Sequence, residues 1–400
     1  MADVSSDQQS RTEDSLEGIL TMLPFVREAV QAAREILLAN LIMIGEIPAP
    51  TFEENQRVEF IQNRFVESGM HNASADELGN ALGILPGTSG ERNILVVAHV
   101  DTVHAATVDH TITLKPQAAI GPGVGDNALG VAVMVSLPFV LELLNIELSS
   151  NLVLMGASRS LGRGDLEGLR FFLSNSEIPI SVGIGVEGFP LGRLSYSSIG
   201  MYRGEIVCSV PEEYDWTRFG ATGAILTMNE VINHIQEIRL PRRPRSSIVL
   251  GSIMGGQGYN TIATNAVLRF EIRTESEQIG DEIFRQMAAI ISEVSSQTGA
   301  DINLDVFARR SPGGITFHHP LAQAARRIMH VLDIQPRKSP STSELSAFID
   351  HDIPAVTIGI TYGEHQNAPQ EEVRIEPIFT GLAQLVGILL AIDKGFCDAD

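Results

Sequence analysis

The sequence predicts an α/β protein: a mostly parallel sheet flanked by helices, interrupted by a smaller inserted domain of ferredoxin-like βαββαβ order. Three observations carry this expectation. Short apolar runs such as residues 93–99 (NILVVAH) have the unbroken hydrophobicity of strands buried on both faces. They alternate with stretches of helical periodicity, the rhythm of a parallel sheet. Near Gly200 the rhythm changes to strand, helix, two strands, helix, strand, and it reverts after Gly313-Gly314. At 400 residues the chain is also long for a single core.

Taken in order, residues 1–15 are polar and charged and read as a disordered tail. Residues 16–44 place Ile19, Leu23, Val26, Val30, Ala33 and Leu37 at helical spacing, and Ile47-Pro48-Ala49-Pro50 ends that helix. A second helix is expected over 53–68, stopped by Gly69. Strands follow at 81–85, 93–99, 151–156 and 181–187, with helices at 130–144 and 165–174. The insertion carries strands at 201–210, 246–253, 266–274 and 301–308, and helices at 221–238 and 277–298. A helix at 320–332, a strand at 355–360 and a helix at 376–392 close the chain. The expected domains are therefore 16–199 with 312–400, and an inserted lid of 200–311.

Charge and composition exclude some functions. The 49 acidic and 28 basic residues give a net charge of −21, which repels phosphate backbones, so no nucleic-acid partner is expected. Cys208 and Cys397 are too few for a disulfide framework or a thiolate metal site. The polar N-terminus has no leader pattern. No apolar run is read as reaching the ~18 residues that span a bilayer, because Pro138 and Glu142 interrupt 131–144. A cytoplasmic protein without a membrane partner is the expectation.

Open parallel sheets place their sites at strand ends, and acidic and imidazole groups gather there. His99 and Asp101 follow the NILVVA strand, Asp126 lies in the glycine-rich loop 121–130, Glu187 follows SVGIGV, and His365 follows AVTIGI. Imidazole with carboxylates is a zinc-type donor set. Read alone, His99 is also readable as a satisfied sheet-end histidine. His104 and His110 lie in the loop after His99-Val100-Asp101 and receive no role.

With these residues in order, the sequence resembles the co-catalytic zinc exopeptidases and deacylases, the family of tripeptidase T, glutamate carboxypeptidase, acetylornithine deacetylase and aminoacylase. The resemblance covers residues 40–393. It rests on Ile47-Pro48, Gly79-Asn80, His99-Val100-Asp101-Thr102, Gly125-Asp126-Asn127, Val186-Glu187-Gly188, Gly255-Gly256 with Asn260, Arg273, Ile353-Pro354-Ala355-Val356 and His365. It implies a three-layer zinc-exopeptidase-like domain with an inserted ferredoxin-like lid, and a hydrolase of amide or peptide bonds in a small peptide or N-acyl amino acid. One zinc would be held by His99, Asp126 and Glu187, with Asp101 fixing the His99 tautomer. A second would use Asp126 and His365. Asn260 and Arg273 would contact substrate, although Arg273 is also readable as a solvated strand residue. The family's bridging aspartate is often followed by a cis peptide, here Asp126-Asn127. A homodimer through the lid is implied as well.

The sequence departs from the family at one place. An acidic pair normally follows the next sheet strand, its first member the general base and its second a metal ligand. Aligned on Gly162, those positions hold Arg159 and Ser160. Arginine stays protonated and cannot act as a base, and serine is a poor zinc ligand. The expectation is one zinc or none, and a non-standard base such as Asp101 or His365 if the chain is an active enzyme. A catalytically inactive relative that binds a ligand or partner is the alternative. A histidine that many relatives place after the lid's first strand is also missing; residues 213–218 hold Trp216 instead.

Overall fold

The computed structural model describes residues 3–211, 222–338, 340 and 343–398. The backbone divides into two compact units, Met1–Ser198 with Gly314–Asp400, and Ile199–Gly313. The stretch 213–218 with Trp216 lies outside the described residues.

Helix α1 covers Asp3–Ala29. The polar segment expected as a disordered tail is thus helical from Asp3, since extending an existing helix costs far less than nucleating one. The stripe expected as one helix over 16–44 is interrupted by a 3-10 turn at Val30–Ala33, after which α2 (Arg34–Gly45) resumes. Val30 and Ala33 are both buried. A 3-10 turn eclipses positions i and i+3, so the break keeps both on the core side.

The first part of the large unit continues with α3 (Asn55–Glu67), β1 (His71–Ala75), β2 (Ala81–Leu85), β3 (Asn93–His99), α4 (Leu129–Leu143), β4 (Asn151–Ala157), α5 (Glu167–Asn175), β5 (Val182–Glu187) and β6 (Arg193–Ser195). The small unit contains β7 (Gly200–Ser209), α6 (Ala224–Glu237), β8 (Ser246–Gly255), β9 (Asn265–Thr274), α7 (Glu277–Thr298) and β10 (Asp301–Arg310). The chain then adds α8 (Pro320–Val331), β11 (Arg337–Lys338), α9 (Leu345–Asp350), β12 (Ala355–Gly359) and α10 (Pro377–Asp393) to the large unit.

The large sheet has the order β1-β2-β4-β3-β5-β12-β6-β11. Its centre, β4-β3-β5-β12, is parallel, while β1 and β2 are antiparallel additions. Alternation along β3 builds three layers. Ile94, Val96 and Ala98 join a core with residues of α1, α2, α4, α8 and α10. Leu95 and Val97 face the other way, into a core with residues of α5 and α9. Every central strand is therefore covered on both sides, which is why its sequence shows no polar alternation.

Helix α4 is apolar all round. The helical stretch Val124–Leu143 is 20 residues long with mean hydropathy 1.7, enough by length and composition to cross a membrane, so the expectation that no run reaches that length is corrected. Pro138 stands inside the helix without ending it. The stretch is 89% buried in the protein, which makes it a core helix.

The small unit has an antiparallel sheet of order β8-β9-β7-β10, the ferredoxin-like arrangement. Ala266, Leu268, Phe270 and Ile272 alternate along β9 and are buried against Met228 and Val231 of α6 and Ile283 and Met287 of α7.

Candidate metal centre

Three strand ends meet at the carboxyl edge of the parallel sheet. β3 ends in His99, and there the chain turns: Val100 donates its N–H to the Ala157 carbonyl at 2.8 Å, and Thr102 donates to Ala49 at 2.8 Å. Arg57 fixes this turn from below. It is 2% exposed and donates to the carbonyls of Ile47 and Val100. Burial lowers its pKa to about 10, with the charges of Asp101 and Glu54 opposing that fall.

The 121–130 loop brings Asp126 to the same edge. A Cβ on Gly125 would sit 2.1 Å from the Phe189 ring, and one on Gly188 would sit 2.2 Å from the Gly125 carbonyl oxygen. Only glycines allow this approach. Asn127 then clamps the loop to β5. Its Nδ2 donates to Val186 at 2.8 Å, and its Oδ1 accepts the Gly188 N–H at 2.8 Å. The Asp126-Asn127 peptide is cis. Glu371 holds the loop from the other side. It is fully buried and accepts the N–H groups of Gly125 (2.6 Å), Asp126 (2.8 Å) and Asn367 (2.9 Å). Burial pushes its carboxyl up to about 6 against these three bonds.

Ligand atoms of His99, Asp126 and Glu187 lie within 4.8 Å of one another. His99 Nδ1 faces the Asp101 carbonyl (3.1 Å) and Asp101 Oδ1 (3.3 Å), and Nε2 faces Asp126 Oδ1 at 3.1 Å. Burial disfavours the charged imidazole, but the hydrogen bonds to Asp101 and Asp126 outweigh it and hold His99 well above its usual range. Asp126 is drawn down to about 2: burial opposes its charge, and His99 chiefly overcomes that. Burial pushes Glu187 up to about 7 despite Arg193 Nη1 at 3.3 Å. A buried and a half-buried carboxylate with a buried imidazole, charged against each other, are the donor set of a divalent cation site. One histidine nitrogen and two carboxylates within this span fit a divalent metal ion.

The other expected site residues are distributed as follows. Asp101 is fully buried with both oxygens engaged, Oδ2 accepting from Thr51 Oγ1 and Leu161 N–H, each at 2.8 Å. Arg159 has a left-handed φ of 52°. Its N–H donates to Glu54 at 2.8 Å, its guanidinium pairs with Glu167 at 3.2 Å, and it lies 5.7 Å over the Phe52 ring. Ser160 is buried and its Oγ has no partner among the described residues. His365 is exposed, with φ 60°, and is not among the three clustered ligands. Its neighbour Gln366 donates to Asp126 Oδ2 at 2.8 Å. Asn260 and Arg273 belong to the small unit. Asn260 is exposed, and Arg273 pairs with Glu271 at 2.5 Å.

Sequence reasoning passes over several residues that shape the centre. Asn127 is quoted only as part of a motif, and Glu371, Gln366 and Arg193 carry no local pattern. His104 and His110 are buried, and His104 Nε2 and His110 Nδ1 have no partner among the described residues. Burial, with His110 nearby, lowers the His104 pKa.

Two segments of the chain match family models. Residues 80–156 match Peptidase family M28, and residues 219–299 match the Peptidase dimerisation domain. Among solved structures, the di-peptidase Dug1p of Saccharomyces cerevisiae aligns with TM-score 0.75 at 13% identity, covering 93% of this chain and 99% of that one. A tripeptidase of Staphylococcus aureus gives 0.73 at 16%, covering 90% and 99%. A dinuclear metal binding peptidase of the M20 family from Bacillus subtilis gives 0.63 at 15%, covering 91% and 99%. No curated protein matches the chain in sequence. The two matched segments are similar to peptidase families, and the chain has the fold of these solved peptidases. These solved structures share that fold over nearly their whole length.

Proposed function

We propose that the chain is a metal-dependent hydrolase of amide or peptide bonds in small amino-acid-derived substrates, such as a short peptide or an N-acyl amino acid, built around one metal site. The observation that carries this reading is the convergence of His99, Asp126 and Glu187 within 4.8 Å. These three would hold the ion, zinc by its donor set. A bound divalent ion supplies Lewis acidity and makes water a stronger acid. Asp101 orients His99 and, with both oxygens occupied, is a positioning residue in this reading rather than the base. Gln366 engages the outer oxygen of Asp126, and Ser160 offers no carboxylate, so both weigh against a second ion shared with His365. His365, exposed on its loop, is the base candidate that remains. Asn260 and Arg273 are proposed as substrate contacts. The small unit is proposed to form a homodimer, in line with its dimerisation-domain match, and the free, buried Cys208 and Cys397 fit a cytoplasmic location.

One observation favours a second reading, a relative that binds without turnover. Arg159 stands at the base position, already paired with Glu167. Loss of a general base costs about 10²–10⁴-fold in rate. Metal content of protein purified without chelator, followed by dipeptide and N-acyl amino-acid assays with zinc, cobalt or manganese, separates the two. One metal per chain and turnover lost in His99→Ala supports the hydrolase. Metal without turnover supports the binding protein. Arg159→Glu with Ser160→Glu gains a second metal and activity if the alignment is right.

A further inference from the structure

The large unit contains a cavity of about 850 Å³ that plays no part in the metal centre. The sheet register places it at the other end of the strands. Leu85, at the end of β2, lines the cavity and pairs with Leu152, which pairs with Ile94 near the start of β3. His99 is five residues further along β3, roughly 17 Å away at the usual rise per residue.

The cavity is walled by α2, α3, α4 and the segments 85–88 and 145–148. Its apolar lining includes Ile36, Val135, Phe139 and Leu148. The mouth is fixed by the backbone. Thr88 N–H donates to the Leu148 carbonyl at 2.9 Å, and Gly87 N–H donates to Asn151 Oδ1 at 3.0 Å. A preformed, partly apolar space of this size is what small-molecule sites present.

Its charged groups select among ligands. Of the lining residues, Arg64, Glu67, Glu142 and Glu147 carry charge. Arg64 is committed to Glu67, at 3.0 Å through Nη1 and 3.3 Å through Nη2. Glu142 and Glu147 are exposed and remain as negative charge. An anion would meet two carboxylates and an already neutralised guanidinium. A cation meets two carboxylates, and a net charge of −21 adds to its attraction.

We propose that this cavity binds a small amphiphilic amine. Its ammonium would face Glu142 and Glu147, and an apolar group would cover Phe139 and Val135. The N-terminal end of a short apolar peptide has this chemistry.

The test is calorimetric titration of the full chain, in chelator so that no turnover occurs, with leucyl-leucine amide and its N-acetylated form. The free amine is expected to bind and the acetylated form to bind much more weakly. In Glu142→Gln/Glu147→Gln, both exposed positions, the affinity should fall roughly twofold to thirtyfold, the range of two solvent-exposed ion pairs. Phe139→Asp should abolish binding, with melting temperature confirming the fold. His99→Ala should bind as wild type does. No binding to the wild type at millimolar amine, equal binding of the acetylated form, an unchanged double variant, or loss in His99→Ala would each overturn the proposal. None of these results bears on whether the metal centre hydrolyses anything.

Discussion

Glu371 accepts the backbone N–H of Asp126 at 2.8 Å across 245 positions of sequence. The same carboxylate takes the N–H groups of Gly125 and Asn367, so one buried side chain joins the loop of a metal-ligand candidate to the loop carrying His365 and Gln366. Truncation leaves three N–H groups unmet in a buried place. Glu371→Ala should therefore lower unfolding free energy by about 3 kcal/mol or more, read from the urea midpoint. It should also weaken metal binding, because Asp126 loses its support. A stable variant with unaltered metal affinity would show that the loop is held by Asn127 alone.

Metal affinity should fall steeply below pH 7. Glu187 is pushed up to about 7 and His99 is held well above its usual range, so the metal-free centre is protonated where the ion needs bare ligands. From Glu187 alone, affinity drops about fivefold between pH 7 and pH 6 as the proton competes. Calorimetry in buffers of different ionisation enthalpy should show net proton release on binding. Stability of the metal-free protein responds with the opposite sign. The folded state binds the Glu187 proton more tightly than the unfolded chain, so that group favours folding increasingly as pH falls from about 7 to 4.5. Asp126 does the reverse: its stabilisation is full above about 3.8 and is lost as pH falls toward 2.

Much of the centre was legible because two of its three ligand candidates, His99 and Glu187, end apolar strands. NILVVAH and SVGIGVE mark buried parallel strands by composition alone, and a polar ligand at such a strand's end stands out. The supports were not legible. Glu371, Asn127 and Arg193 act through hydrogen bonds or ion pairs to groups that only the fold brings near, and no period or spacing announces them. The fold shows the same division. The apolar stripes of α4 and α10 were readable, while β1, with sequence HNASA and mostly exposed, has no hydrophobic alternation and forms by pairing with β2. The break at Val30–Ala33 also left no mark, because both its buried residues fit the helical spacing on either side.

Asp101→Asn distinguishes a positioning residue from a base. Asp101 bonds His99 Nδ1 and two other donors. If it only holds the ring, the amide should cut metal affinity by about 10–100-fold and any activity should return at saturating metal. Metal binding is read by competition with a chromogenic chelator. Full metal occupancy with activity still absent would instead make Asp101 the missing base.

Two glycines should respond in opposite directions to the same added methyl. Gly18 lies within α1, and a Cβ added there would have nothing within 4 Å, so Gly18→Ala should stabilise by up to about 1 kcal/mol through helix propensity. Gly125 has no such room, since its Cβ would fall 2.1 Å from the Phe189 ring and 2.8 Å from Val373. Something must move, and overpacking of this kind costs about 1–3 kcal/mol. The backbone that yields carries Asp126, so Gly125→Ala should lose metal affinity as well as stability, whereas Gly18→Ala should change the melting temperature alone. If Gly125→Ala keeps metal affinity while losing stability, the Phe189 ring gives way and the approach of Asp126 to Glu187 does not depend on a bare backbone at residue 125.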